Sequence, residues 1–432
     1  MDALFIRAAV ARTPGLRATH LAALLTAADG DLTRCLNPKN LSQVELPPAA
    51  LAWLRLPDTA AVDSDLRWLA DSGARLLAST DRDYPEQLRQ LADAPAALYV
   101  LGDPRQLAAP QLAMVGSRNP TPFGSETAFR FAADLAGAGL TITSGLALGI
   151  DAASPRGALS VASIAGSADG VGVAAGVGTA VGGRASTRAA AADVAAIAGA
   201  RGQSDADVAG ARGQSYPGAP ATAGGRATPG VGTTIAVCGT GLDQVYPTQH
   251  NELAARIREH GALVSELPPR TPPRRANFPR RNRLISGLSL ATLVVEARLN
   301  SGSLSTARYA RQQQRKVLAI PGSIASSLSL GCHRLIRTGA SLVQSCDEVL
   351  LELEISPPNE GLVRRGGPRR RRRAMDKGYE MLLDAVGFGP VGVDILAIRT
   401  GLPAEMISSM LLVLELEGRI ALHPGGQFGR IP

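Results

Sequence analysis

The segment from Asn277 to Ser289 carries side chains suited to holding a polyanion. It combines a ring for stacking, three guanidinium groups and an amide: Phe278, Arg280, Arg281, Arg283 and Asn282. Arginine makes forked contacts with phosphate oxygens, and an aromatic face accepts a base without reading its identity. A charged run is usually only a solvated surface. Prolines precede this run and apolar residues follow it, which predicts that it is anchored against a folded core.

Loops of glycine and serine form a second group of candidates, because each follows an apolar run with strand character. Glycine lets a phosphate approach the backbone, and the amides that begin a helix attract anions. Simpler roles exist: a solvated loop arginine for Arg118, and helix capping for Ser303. Asp151 can cap a helix or orient an arginine, and capping is the simpler role. The candidate residues are Gly116, Ser117, Arg118, Ser144, Gly145, Gly239 and Ser303.

Between residues 76 and 350, short apolar runs alternate with helical stretches. This alternation predicts an α/β domain with a Rossmann-like, doubly wound and mostly parallel sheet. Ligands of such folds bind beyond the carboxyl ends of the strands, where the candidate loops should converge. The predicted strands are Leu112–Val115, Leu140–Thr143, Thr234–Cys238, Ala262–Val264, Ala291–Val295 and Val317–Ile320.

Smaller units are predicted on both sides of this domain. Residues 1–75 have helical periodicity and predict a small helical domain of SAM or helix-hairpin-helix type. Residues 375–432 predict a winged helix, with helices Val393–Arg399 and Ala404–Glu417 followed by a β-wing over Arg419–Phe428.

Two segments interrupt the pattern. Residues from about 163 to 230 are rich in Ala, Gly, Ser and Arg and nearly lack large apolar side chains. Such a composition cannot bury enough surface to offset the entropy of ordering, so we expect a disordered surface insertion. Residues 351–374 are rich in Pro, Gly and Arg and predict a basic linker.

Charge is unevenly placed along the chain, whose net charge is +8. The segments 270–283 and 364–373 contain many arginines and no acidic residue, and their combined positive charge exceeds that of the whole chain. The remainder is therefore net acidic. Localised basic segments on an acidic body favour a polyanionic partner.

Other classes of protein lack support in the sequence. The four cysteines are scattered without a C-x-x-C pair, so neither a disulfide framework nor a metal site is expected. A Walker A lysine loop, a nucleophile elbow and paired catalytic carboxylates are likewise missing from the sequence. The amino terminus lacks the apolar core of a signal peptide, and no apolar run reaches membrane-spanning length. We therefore expect a cytoplasmic protein without a cofactor.

Several longer stretches, in this order, resemble the DprA/Smf family (DNA-processing protein A). They are DRDYPEQLRQLADAPAALYVLG, GSR, SGLALGIDA, TIAVCGTGLDQVYP, SELPP, NFPRRNRLISGLS, SGSLSTA and IPGSIASSLSLGCHRLI. The resemblance implies a homodimeric, non-enzymatic protein that binds single-stranded DNA. Such a protein protects incoming strands and loads the RecA recombinase onto them during natural transformation and recombination.

The same resemblance assigns site residues. Arg118 and the run Arg280–Arg283 match the family's basic DNA pocket, and Ser117, Ser144, Gly145 and Gly239 match its glycine–serine loops. The chain departs from the family where a histidine usually precedes Arg-Gly-Ala-Leu, because Pro155 stands there. The insertion that follows is a second departure.

Two alternatives remain open. A Rossmann-like nucleotide phosphoribohydrolase would carry Pro-Gly-Gly-x-Gly-Thr, whereas this chain has Pro321-Gly322-Ser323-Ile324. A winged-helix transcription regulator would need a basic recognition helix. Ala404–Glu417 instead contains three glutamates and no arginine or lysine, which favours a protein-interaction or weak DNA-binding module.

Deleting residues 163–230 should leave the thermal unfolding temperature nearly unchanged, because the segment cannot form a core of its own. Differential scanning calorimetry of the deletion variant and the full chain would measure this. Insoluble protein, or a large fall in the unfolding temperature, would mean that the segment packs.

Overall fold

The computed structural model describes residues 3–168, 232–355, 377–387 and 389–431. Most of the predicted insertion and most of the predicted linker lie outside these residues. Within them, no single helix is both long and apolar enough to cross a membrane. Val393–Thr400 and Ala404–Leu416 meet the same criteria only when taken as a pair, which is bent by 108°.

A nine-stranded sheet forms the centre of the molecule, in the order β1-β2-β6-β5-β4-β3-β7-β8-β9. Strands β3 to β9 pair in parallel, and β1 and β2 extend one edge in antiparallel fashion. The strands are β1 Arg75–Ala78, β2 Ala97–Gly102, β3 Gln111–Val115, β4 Thr141–Ser144, β5 Thr234–Val237, β6 Ala262–Ser265, β7 Ala291–Val294, β8 Lys316–Ala319 and β9 Ser341–Leu342.

The predicted α/β class and mostly parallel sheet are confirmed, and each of the six predicted strands overlaps an observed one. Helices cover both faces, because alternate strand residues enter opposite cores. In β3, Ala113 and Val115 join one core, whereas Leu112 and Met114 join the other. The first core is covered by Asn277–Leu288 and Ser303–Gln312, and the second by Pro122–Gly137 and Ile150–Ala168. The other helices around the sheet are Glu86–Arg89, Asn251–His260, Leu330–Arg337 and Cys346–Glu352.

A helical unit precedes the sheet and packs on its antiparallel edge. Its core is built from buried leucines such as Leu21, Leu24 and Leu54, and it includes Ala78 and Ala96 from the β1–β2 region. Its helices are Ala3–Arg12, Ala18–Ala27, Pro38–Leu41, Pro48–Arg55 and Thr59–Ser72.

The carboxyl-terminal unit has the predicted winged-helix arrangement. Helices Lys377–Val386, Val393–Thr400 and Ala404–Leu416 surround a core that includes Leu396 and Leu411. The antiparallel strands β10 (Ile420–His423) and β11 (Gln427–Arg430) form the wing.

Pro155 lies inside the helix Ile150–Ala168 and leaves a gap in its hydrogen bonding. Proline has no N–H, so it cannot donate to the carbonyl of Asp151 one turn earlier. The buried hydroxyl of Ser144, at the end of β4, donates to that carbonyl instead, at 2.9 Å. The departure from the family pattern is thus compensated by a side chain from the neighbouring loop.

Replacing Ser144 with Ala should lower the free energy of unfolding by about 1–3 kcal/mol, because the buried Asp151 carbonyl then lacks a donor. Pro155→Ala supplies a helical N–H, so Ser144→Ala should cost much less in that background. Urea unfolding of the four variants measures the coupling. Equal costs in both backgrounds would contradict this account.

Candidate functional site

The chain reverses its direction across the sheet between β3 and β7, which lie side by side. From β3 it proceeds through β4 and β5 to β6 on one side, and from β7 it continues on the other. Ligands of doubly wound folds bind beyond the carboxyl ends of the strands at such a point. Gly116, Ser117 and Arg118 directly follow β3 there. We call the loops beyond the carboxyl ends of β3, β4, β5 and β7 the carboxyl edge.

Glu296, two residues beyond β7, organises the loop that follows β3. Its carboxylate accepts hydrogen bonds from the amide of Thr121 at 2.9 Å and from the hydroxyl of Thr121 at 2.6 Å. Burial raises the pKa of Glu296, and the two Thr121 bonds oppose that rise. Close packing continues at Gly116, where a Cβ would lie 2.6 Å from Cγ1 of Ile150. This loop therefore has little freedom to move.

Arg281 lies buried behind the loops after β4 and β5. Its guanidinium donates to the carbonyl of Gly145 at 2.7 Å and to the carbonyl of Val237. Asp151 accepts the amide of Gly145 at 3.1 Å, and burial raises the pKa of Asp151 while the Arg281 charge opposes the rise. A Cβ at position 145 would lie 2.5 Å from the Asp151 carboxylate and 2.6 Å from the guanidinium. Glycine is thus the residue that fits between them.

Arg283 is also buried, on the other side of the same helix. It pairs with Glu266 just after β6, and its Nε lies 3.4 Å from a carboxylate oxygen of Asp93. Arg280 points outward, with 57% of its side chain exposed and its Nε 3.4 Å from Glu266. The three arginines thus differ in their surroundings, although they are nearly adjacent in sequence.

Phe278 is half-buried against the loop that follows β5. Its ring centroid lies 5.3 Å from that of Tyr246, with the planes tilted by 41°. A Cβ at Gly239 would lie 2.8 Å from the Phe278 ring, so glycine is needed for this approach.

Asn282 contacts the first turn of the helix Ser303–Gln312. The amide of Asn282 donates to the hydroxyl of Ser305 at 2.7 Å, and the hydroxyls of Ser301 and Ser303 lie 2.7 Å apart. Ser303 is nearly buried. These contacts connect the arginine-bearing helix with its neighbour.

Exposure divides the candidate residues into two groups. Arg118 and Arg280 are exposed, and Phe278 is half-buried, whereas Ser117, Ser144, Arg281, Arg283 and Ser303 are buried. Sequence reasoning assigned no role to Thr121 and did not identify Arg298, an exposed guanidinium on the loop after β7. The available signal for Arg298 was its position three residues after a predicted strand.

The described part of the chain offers little for metal or thiol chemistry. Within it, no group of three or more His, Cys, Asp or Glu side chains could hold a metal ion. All four cysteines are free thiols. Burial raises the pKa of the Cys238 thiol, at the carboxyl edge, to about 11, so the reactive thiolate is scarce at neutral pH.

The strand order and the arginine-bearing carboxyl edge define a Rossmann-like protein with an attached winged helix. Its sequence matches the model of DNA recombination-mediator protein A over residues 75–179 and 179–354, and that of the DprA winged helix domain over residues 367–426. The chain belongs to the DprA/Smf family, a family of DNA-processing proteins.

Individual relatives agree with this assignment. Protein Smf of Escherichia coli K12 is 36% identical over 374 residues, which span 85% of this chain and 80% of that protein. A putative DNA processing protein DprA of Mycobacterium tuberculosis is 37% identical over 84% of this chain and 78% of that protein. The X-ray structure of DprA from Streptococcus pneumoniae matches with a TM-score of 0.56 at 27% identity, covering 82% of this chain and 99% of that one.

Arg281→Ala should lower the free energy of unfolding by about 1–3 kcal/mol, because it removes a donor to the buried carbonyls of Gly145 and Val237. Arg280→Ala should change it by less than about 1 kcal/mol, since an exposed ion pair contributes little. Chemical unfolding of both variants compares them directly. Similar losses for the two would contradict the different roles that we assign to these arginines.

Proposed function

We propose that this protein binds single-stranded DNA along the carboxyl edge. Arg118 and Arg280 bind backbone phosphates, and the half-buried ring of Phe278 stacks on a base. The exposure of these two guanidinium groups, beside loops that admit only glycine, is the observation that carries the proposal. The buried residues of the candidate set hold the loops in place, and Gly116, Gly145 and Gly239 let these loops pack closely against their neighbours.

The mode of action that we propose is binding without catalysis. Asp151, Glu266 and Glu296 are partly or fully buried carboxylates at or beside the carboxyl edge, and each is already engaged by backbone or side-chain donors. Their hydrogen bonds suit positioning rather than proton transfer. The test is an assay of nuclease, ATPase and nucleotide phosphoribohydrolase activity. Turnover that is lost in Arg118→Ala would support the enzyme alternative.

We also propose that the protein protects incoming strands, loads a RecA recombinase onto them, forms a homodimer and acts in the cytoplasm. Family membership supports them, since the matching family model describes recombination mediators. Recombinase loading is tested by following filament assembly on DNA covered with single-strand-binding protein. An unchanged assembly rate in the presence of this protein would count against loading.

The winged helix has a surface better suited to protein contact than to duplex DNA. Glu405 and Glu415 are exposed on the helix Ala404–Leu416, together with the apolar Met406, Leu412 and Leu416. Acidic side chains repel duplex phosphates. We therefore assign this unit a role in protein interaction. Deletion of residues 375–432 should then leave the affinity for DNA unchanged.

Binding should prefer single strands to a duplex of equal length, because flat stacking and phosphate contacts require an open strand. Replacing Arg118 and Arg280 together with Ala should lower affinity and flatten the log–log salt slope by about 1.4, at roughly 0.7 for each phosphate contact. The charge-matched control is Arg55→Ala with Arg67→Ala, on exposed positions of the helical unit. Equal affinity for duplex DNA, or an equal effect of the control, would contradict the proposal.

The predicted linker provides a second comparison. Replacing arginines 369–373 should mainly slow association at low salt, because screening removes attraction beyond about 8 Å at physiological ionic strength. Titrations on one oligonucleotide at several salt concentrations measure this. A loss of affinity at physiological salt as large as that of the Arg118 and Arg280 variant would mean that the binding site does not lie on the sheet.

A further inference from the structure

A cleft of about 490 Å³ lies between the helical unit and the sheet. One wall is the start of the helix Thr59–Ser72, and the other is the loop Pro269–Arg274, which follows β6. Three guanidinium groups line it, from Arg12, Arg270 and Arg274. The family-like motifs of the carboxyl edge do not include Arg12 or Arg274.

Two of these guanidinium groups are held in place by one buried carboxylate. Asp65 is fully buried and accepts hydrogen bonds from Arg12 at 2.9 Å and from Arg270 at 3.2 Å, with the Tyr99 hydroxyl at 3.4 Å. Arg270 also donates to the hydroxyl of Ser64. The pKa of Arg12 is raised, mainly by its hydrogen bond to Asp65, so its positive charge is secure. Ordered guanidinium groups lose less entropy when they bind an anion.

Of the three arginines that line the cleft, Arg274 has the guanidinium group that is available to a ligand. Asp58 is exposed at the rim and already accepts the amide of Ala61 at 3.1 Å. Asp243 accepts the amide of Arg270 at 2.7 Å from behind the loop, and burial raises the pKa of Asp243. Arg274 is exposed and forms no ion pair with any residue in the described ranges.

The cleft lies on the same side of the sheet as the carboxyl edge. Its loop follows β6, which is three strand positions from β3 in the sheet, or roughly 14 Å at the usual spacing between strands. A single strand that passes Arg118 and continues across the ends of β4 and β5 would reach this loop. The arginines of the cleft would then meet the phosphates of its continuation.

We propose that this cleft binds a backbone phosphate of the same DNA strand, as a second anchoring point beyond the carboxyl edge. The ligand is a phosphodiester group, and its base is not read. The inference rests on the proposed function, and it makes the helical unit a part of the DNA-binding surface.

The test compares wild type with Arg274→Ala on oligonucleotides from a dinucleotide up to about 16 nucleotides, the upper end of the range of site sizes for single-strand-binding folds. A dinucleotide, whose single phosphate cannot occupy both anchoring points, should bind both proteins equally. On long ones, Arg274→Ala should lose about tenfold in affinity, as expected for a charge-assisted contact, and flatten the salt slope by about 0.7. Arg67→Ala is the matched control, because Arg67 is exposed on the helix Thr59–Ser72, which forms the other wall, but does not line the cleft.

A second arm replaces the phosphates in one half of the long oligonucleotide with neutral methylphosphonates. When the phosphates that reach the cleft are neutral, the affinity of the wild type should fall to that of Arg274→Ala. The affinity of Arg274→Ala itself should not change. An Arg274→Ala loss that is equal at all lengths, or absent at all lengths, would overturn the second anchoring point. Failure of wild type to bind any single strand would instead overturn the proposed function itself.

Discussion

The burial of Arg281 between the ends of β4 and β5 is the constraint on which the carboxyl edge depends. Removing a guanidinium group from water costs several kcal/mol, and the cost is offset here by the nearby Asp151 charge and by the carbonyls of Gly145 and Val237. The same contacts fix two loops and the start of a helix. Because Arg281 is buried, we expect a ligand at this edge to meet the exposed Arg118 and Arg280 instead.

Much of the sheet could be predicted because its strands are continuous apolar runs, buried on both faces and followed by glycine or polar residues. Strand β9 contains only two residues, which is too short to give a pattern. The edge strands β1 and β2 were not predicted, since antiparallel additions do not follow the βαβ rhythm. Their pairing depends on contacts with β6 that are distant in sequence.

The arginine run could be found from sequence, but the roles within it were separated only by the structure. Arg281 shares a helical stripe with Leu284, Ile285 and Leu288, all of them buried, so the periodicity contained a signal for its burial. The burial of Arg283 had no such signal, because its partners Glu266 and Asp93 come from separate segments. Charge alone could not distinguish a residue that binds from one that positions.

The crossover from β4 to β5 has a consequence for how this protein can vary. The helix Ile150–Ala168 begins at the carboxyl edge and runs back to the opposite end of the sheet, where Gly232 packs against Ala162. Ala162 and Gly232 therefore meet far from the carboxyl edge. A chain that leaves and returns at neighbouring points can gain flexible residues at the cost of only the slowly growing entropy of loop closure. We therefore expect that residues can be added between these two points, or a reporter domain placed there, without a change at the carboxyl edge.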